Sequence, residues 1–413
     1  MKTKPALKAV SLYLLCMFMQ HAFAQKTDAA YKQGLDYYHQ GKYEQSITEF
    51  NSALKASPAN ADAYIYLGLA YYYLGKYDIS IAYNDSAMVI KPQDALPYYN
   101  RGLAYRKKGN FESAIADYNS ALKLKPQWTD AYYSRGLAYY YQGKYELSVA
   151  DNTAVLAIDP KYADAYFCRG LDYYNQEKYD LSIADYTSSM QLTPQDESAY
   201  YNRGLAYRKK GSYESAIADF NAALKINPKY AEAYFSRGLA YYYEGKYDLS
   251  LADENTALSL NPQSAEAYYD RALVYYYQGK YDQAITDLTN SLKINPQYAD
   301  AYSTRGLTYY HQEKYEQAIA DENAALKLHP QFTDAYITRG ICYRKQGNGD
   351  LAIADFTSAI NIDAKNAIAY NNRGSVYYTQ SKKDASVSDW KKAADLGDKS
   401  ARQNLKQYYN IDY

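Results

Sequence analysis

Cysteine is nearly missing from this chain, with 3 in 413 residues. Cys16 falls in an N-terminal apolar run, and Cys168 and Cys342 stand far apart along the sequence. A linear array would separate that last pair well beyond the ~7 Å between α-carbons that a disulfide tolerates. Disulfide staples are therefore excluded as the source of stability. Histidine is scarce too, with 4 in all, and His39, His311 and His329 share no metal-ligand spacing. No glycine-rich loop follows a strand pattern, and no nucleophile shares a register with a base, so no enzyme chemistry and no cofactor are expected. Charge of one sign is not in excess: 46 basic residues face 46 acidic ones. A nucleic-acid partner, which calls for a strong basic surplus, is excluded on that ground. Beyond the N-terminus no apolar run approaches the ~20 residues that span a bilayer.

What is present at the N-terminus has the layout of an export signal. Lys2, Lys4 and Lys8 precede an uncharged apolar run from Ala9 to Met19, and Ala22-Phe23-Ala24 supplies small residues around one larger one. This reads as a signal peptide over 1–24, cleaved after Ala24. The run is too short for a spanning anchor. Cys16 lies inside it behind Leu15, which does not suit lipid attachment. Cleavage removes three lysines and no acid, leaving a slightly acidic chain in the periplasm or outside the cell.

Glycine and proline give the period. Gly34, Gly68, Gly102, Gly136, Gly170, Gly204, Gly238, Gly306, Gly340 and Gly374 fall on a single ladder of 34 residues, interrupted only by Ala272. Pro58, Pro92, Pro126 and their successors to Pro330 keep the same count. The repeats are 27–60, 61–94, 95–128, 129–162, 163–196, 197–230, 231–264, 265–298, 299–332, 333–366 and 367–400, without an insertion. A period of this length means a solenoid of stacked units. Within 95–128, Tyr98, Gly102 and Tyr105 mark one face of a first helix, and Gly109 ends it. Ala114, Ile115, Tyr118, Ala121 and Leu122 mark the core face of a second helix, and Pro126 follows its end. Residues 401–413 carry Ala401, Leu405 and Tyr408 at helical spacing and read as a capping helix.

The combination of Tyr98, Arg101, Gly102 and Tyr105, then Ala114, Tyr118 and Pro126, resembles the tetratricopeptide repeat, and the resemblance runs from 27 to 400. It implies an all-α, right-handed superhelical solenoid of antiparallel helix hairpins, with first helices lining a concave groove. Departures are clear. Arg replaces the usual Leu before the glycine from Arg101 onward, and Asn84, Asn152, Glu254 and Glu322 replace the second-helix aromatic. Looser or differently hydrated packing is expected at those four. Each arginine from Arg101 to Arg373 has an aspartate sixteen residues later, Asp117 to Asp389. Equal distances from the hairpin turn predict an ion pair within each repeat.

Tyrosine is the anomaly, at 57 residues. Tyr98, Tyr105, Tyr132, Tyr139 and Tyr145 occupy family core positions. The resemblance places others on the groove: Tyr99, Tyr133, Tyr140, Tyr141, Tyr174, Tyr201, Tyr242, Tyr243, Tyr276 and Tyr277, with the basic island of Arg208 and Lys209 between them. Tyr suits a contact surface, with a rigid apolar body and a polar tip. Acids such as Asp62, Asp130, Asp300 and Asp334 sit in first turns, where they favour the helix dipole. The lysine–asparagine–arginine clamp of some family co-chaperones is not matched, since Leu103, Ser134 and Asp130 stand at its positions. The expected function is an exported scaffold binding a protein or peptide in the groove. A carbohydrate or small-ligand binder and an architectural envelope component remain as alternatives, and the oligomeric state is open. The exported form should begin at Gln25, and intact-mass measurement checks this; a retained Met1 or a lipid adduct on Cys16 would refute it.

Overall fold

The computed structural model describes residues 28–413; the expected signal segment 1–24 lies outside them. The chain divides into two units, Met1–Lys210 and Gly211–Tyr413. Among the described residues the first unit contains α1 (28–39), α2 (Tyr43–Ala56), α3 (Ala61–Tyr73), α4 (Tyr77–Ile90), α5 (Ala95–Lys107), α6 (Phe111–Leu124), α7 (Thr129–Tyr141), α8 (Tyr145–Ile158), α9 (Ala163–Asn175), α10 (Tyr179–Leu192) and α11 (Glu197–Lys209). The second contains α12 (Tyr213–Ile226), α13 (Ala231–Tyr243), α14 (Tyr247–Leu260), α15 (Ala265–Tyr277), α16 (Tyr281–Ile294), α17 (Ala299–His311), α18 (Tyr315–Leu328), α19 (Thr333–Lys345), α20 (Gly349–Ile362), α21 (Ala367–Thr379), α22 (Lys383–Asp395) and α23 (Lys399–Tyr409). No strand occurs among the described residues. The fold is an all-α solenoid of tandem helix hairpins. Within each unit a second helix packs on its own first helix and on the next one, and successive first helices touch, forming one continuous layer.

The hairpin turns follow from backbone chemistry. Gly109 adopts φ +77°, a left-handed conformation that costs glycine little. The Gly109 and Asn110 amides then donate to the carbonyls of Arg106 and Tyr105, each at 3.0 Å, closing the end of α5. At the matching positions Glu177, Glu313 and Ser381 accept φ near +60° without that freedom. Several first helices are capped from outside: Asn60, Asp94, Ser264 and Asn366 side chains accept from early backbone amides.

The ladder glycines are needed for close approach. A Cβ on Gly102 would sit 2.7 Å from the Tyr118 ring, which is fully buried between α5 and α6. Ala114 and Tyr118 also pack on Ala138 of the next first helix, so one ring joins two hairpins. Burying such a ring contributes about 2–3 kcal/mol. The exception supports the rule: where Ala272 replaces glycine, the facing residue is Leu288 rather than an aromatic, and both are fully buried.

The arginine ladder is a clamp. Arg101, Arg135, Arg169, Arg237, Arg271, Arg305, Arg339 and Arg373 each grip the aspartate sixteen residues later through two parallel bonds of 2.5–2.9 Å. The third contact is one the sequence reading missed. Nη1 donates backward to the residue sixteen positions earlier, on the preceding second helix. Arg271 thus holds Asp287 on α16 at 2.7 and 2.6 Å and Asn255 on α14 at 2.6 Å. Asp85, Asn119, Thr153, Thr187, Asn221, Thr289, Asn323 and Thr357 serve the other arginines. Tyrosines flank the guanidinium, as Tyr132 and Tyr139 do at 5.4 and 5.9 Å from Arg135.

The last helix, α23, starts at Lys399, two residues before the expected 401, because the Asp398 side chain accepts from the Ala401 amide. Ala401 and Leu405 are fully buried against Trp390, Ala393 and Ala394 of α22. No helix of the described residues is long and apolar enough to cross a membrane.

The clamp makes a double-mutant prediction. Arg237→Asp and Asp253→Arg should each destabilise by about 3–5 kcal/mol, since each leaves a buried charge unpaired. The double swap should recover only part, because the bond from Arg237 to Asn221 is not restored. Strictly additive losses in a thermal-melt cycle would refute the coupling.

Candidate binding face of the first helices

The candidate tyrosines occupy three positions of the first helix: the fifth, twelfth and thirteenth. Rings at the fifth position are lodged between hairpins. Tyr99 lies 4.5 Å from Trp128 between ring centres, and its hydroxyl is 3.3 Å from Ser134 Oγ of the next first helix. Tyr133 repeats this with Tyr162 at 5.3 Å and Cys168 Sγ at 3.6 Å. Burial pushes the phenol pKa of both upward; for Tyr133 the neighbouring Cys168 adds to the shift. Tyr201 holds the same position on α11. These residues pave the first-helix layer and have little surface left for a ligand.

The twelfth and thirteenth positions lie beside the hairpin turns. Tyr141 stacks on Phe111 at 5.6 Å and 12°, and Tyr243 stacks on Tyr213 at 5.3 Å and 10°. The opposite faces are open: Tyr141, Tyr243 and Tyr277 remain 59%, 57% and 58% exposed. Tyr140 meets Tyr141 and Tyr145 edge-on, and Tyr174 meets Tyr179 likewise. In the second unit Tyr242 contacts Tyr243, Tyr247 and Tyr277, while the Tyr276 hydroxyl lies 2.9 Å from His311 Nε2. The basic islands are half committed. Lys108 pairs with Asp78 and Lys210 with Asp180, each on the preceding hairpin. Arg106 and Arg208 keep a buried Nε without a hydrogen bond. Tyr140, Tyr141, Tyr174, Tyr201, Arg208 and Lys209 belong to the first unit, and Tyr242, Tyr243, Tyr276 and Tyr277 to the second.

A cavity of about 370 Å³ in the second unit was not anticipated. It is lined by Tyr269 of α15, by Asp300, Ser303, Thr304 and Leu307 of α17, by Phe332, by Asp334, Ile337 and Thr338 of α19, and by Ile368 of α21. The cause is a break in the paving. The fifth position carries Tyr31, Ile65, Tyr99, Tyr133, Phe167, Tyr201, Phe235 and Tyr269, then Ser303. Where this column drops to a small residue, at Ser303, space opens. That break was visible in the column of fifth residues, but a lone serine carries no motif.

Of the four replaced aromatics, Asn84 is fully buried and donates to the Ser80 carbonyl of its own helix at 2.8 Å, and the other three behave in two ways. Asn152 is fully enclosed and donates to Asp172 of α9 at 3.3 Å. Burial still pushes Asp172 up to about 7, opposed by Ser148 and Asn152. Glu254 and Glu322 are fully buried against Gly238 and Gly306, and neither carboxyl makes a hydrogen bond of acceptable geometry among the described residues. The positions corresponding to Asp172 hold Val274 and Cys342, which offer no strong donor. Burial raises Glu254 well above the ordinary carboxyl range and pushes Glu322 up to about 9, with Ser303 pulling the other way. Glu322 is therefore neutral in the folded chain near pH 7. Cys168 and Cys342 are buried free thiols.

These acids give a pH prediction. For Glu322 the folded value near 9 lies above the ordinary 4.5, so unfolding releases a proton between the two. Stability is then full below about 4.5 and declines as pH rises toward about 9. The melting temperature should fall between about pH 5.5 and pH 9, and Glu322→Gln should fall less. Glu322→Phe, which restores the ring found at Phe356, should stabilise by about 1–3 kcal/mol near neutrality. A pH profile unchanged by Glu322→Gln would refute the assignment.

Comparison with known proteins agrees with this architecture. The TPR repeat description matches residues 34–75, 102–143, 136–177, 170–211, 204–243, 238–279 and 340–381, and the tetratricopeptide repeat description matches 269–332. Among solved structures, the APC/C hetero-tetramer Cut9-Hcn1 aligns over 94% of this chain and 97% of its own, at 14% identity and TM-score 0.50. The C-terminal part of a TPR repeat-containing protein from Cytophaga hutchinsonii aligns over 58% of this chain and 98% of its own, at 17% identity and TM-score 0.50. MamA is 29% identical over 40% of this chain and 96% of its own, with TM-score 0.38. Comparison with curated proteins finds no match. With hairpin, glycine–ring contact and family pattern recurring along most of its length, the chain belongs to the tetratricopeptide repeat family.

Proposed function

We propose that this protein is an exported scaffold that binds an extended peptide or a partner helix across its first-helix layer. The family fold is in general a non-catalytic platform for protein–protein interaction. One observation carries the finer reading: Tyr141, Tyr243 and Tyr277 are held rigid by their neighbours on one side and leave more than half their surface open. A ring already ordered loses little entropy on contact, which makes it an efficient anchor. Tyr140 and Tyr242 brace these rings, and Arg208 and Lys209 add local positive charge. Export is supported by Lys2 to Ala24 alone.

Selection from a random-peptide library against the chain from Gln25 onward provides the test. Tyr141→Ala should weaken a peptide selected on the first unit, and Tyr243→Ala one selected on the second, each by about 1–2 kcal/mol with unchanged helix content. Arg208→Glu with Lys209→Glu should mainly slow association and change its salt dependence. Tyr139→Ala, two positions from the exposed Tyr141 and beside Arg135, should instead lower the melting temperature. Failure to select any peptide, or open-face variants that bind like the parent, would refute the proposal.

A further inference from the structure

Building on the scaffold reading, we infer that the cavity beside Ser303 is a receptor for a lysine or arginine side chain projecting from the bound peptide. Three observations converge on it. The first is shape. Loss of the fifth-position ring at Ser303 leaves about 370 Å³, inside the roughly 300–1,000 Å³ of ligand pockets, on the layer the scaffold presents.

The second is charge. Asp300 and Asp334, both exposed, line the cavity at its open edge from the second residue of α17 and α19, and neither makes an ion pair among the described residues. The equivalent Asp62 is held by Lys91 at 2.9 Å. At the positions corresponding to Lys91 stand His329 and Asp363, so no lysine is supplied from there to Asp300 or Asp334. A helix N-terminus alone would account for one acid, whereas here two from adjacent hairpins line one space that has no basic residue in its lining. Glu322, fully buried and outside the lining, neighbours Ser303.

The third is the mixed lining. Tyr269, Phe332 and Ile337 supply apolar surface for an aliphatic stem, while the carboxylates receive its charged head. Aromatic faces favour a cation further. An acidic side chain would meet only repulsion there. The occupant that fits is therefore a cationic residue with an apolar neighbour, carried by a protein partner.

The test uses the chain from Gln25 onward and three fluorescein-labelled dodecapeptides in a glycine–serine background, with central Leu-Lys-Leu, Leu-acetyllysine-Leu or Leu-Glu-Leu. By anisotropy the lysine peptide should bind at least about tenfold more tightly than the other two. Asp300→Asn with Asp334→Asn should abolish that preference while leaving the melting temperature close to the parent's. Ser303→Tyr, which restores the paving, should exclude the peptide. Equal binding of lysine and acetyllysine peptides would overturn the cation pocket yet leave the scaffold standing. Retained preference in the aspartate double variant, displacement by neutral maltohexaose, or no binding by any of the three would also overturn it; the library selection judges the scaffold separately.

Discussion

From the third hairpin onward, one guanidinium per hairpin, holding three oxygen atoms on two neighbouring hairpins, sets the geometry of the array within each unit. Two of its bonds fix the crossing of its own helices, because a forked donor meets a carboxylate only in plane. The third fixes the spacing to the hairpin before. Arg271 shows the whole arrangement, with Asp287 ahead and Asn255 behind. Repeating this contact in a constant frame leaves no room for an inserted residue, and the sequence contains none. The first-helix layer inherits that regularity, and its tyrosines and first-turn acids recur at set intervals.

The apolar counterpart of the clamp is the glycine edge against the second-helix ring. Tyr118 on Gly102 and Leu288 on Ala272 show size at one position compensated by size at the other. Asn152 with Asp172 replaces the ring by a polar pair across two hairpins. Glu254 and Glu322 keep the place of the ring but not its apolar area. The same slot thus tolerates apolar, paired-polar and neutral-acid solutions, because the clamp beside it maintains the separation.

Much of this was legible beforehand. The 34-residue glycine ladder fixed the helix order, and the constant offset between Arg101 and Asp117 identified the ion pair, since equal distance from a turn is a geometric statement. The backward acceptor escaped notice because its identity changes among Asp85, Asn119 and Thr153 while only the ability to accept is kept. The cavity escaped because Ser303 matters through the ring it lacks. Tyr99 and Tyr141 looked alike in sequence, yet one is wedged against Trp128 and the other is open; the same phenol serves packing and contact equally, and only neighbours separate the roles.

The two buried glutamates give the second unit an uneven grain. In a linear array each hairpin is supported chiefly by the ones beside it, so local opening is governed by the weakest joints. Glu254 and Glu322 place such joints in the seventh and ninth hairpins, on either side of the tightly filled Ala272–Leu288 hairpin. The second of them lies directly behind Ser303. Hydrogen exchange in alkaline solution would accordingly begin as two separate breaches around an intact island, and the wall of the cavity would soften while the rest of the lattice still held.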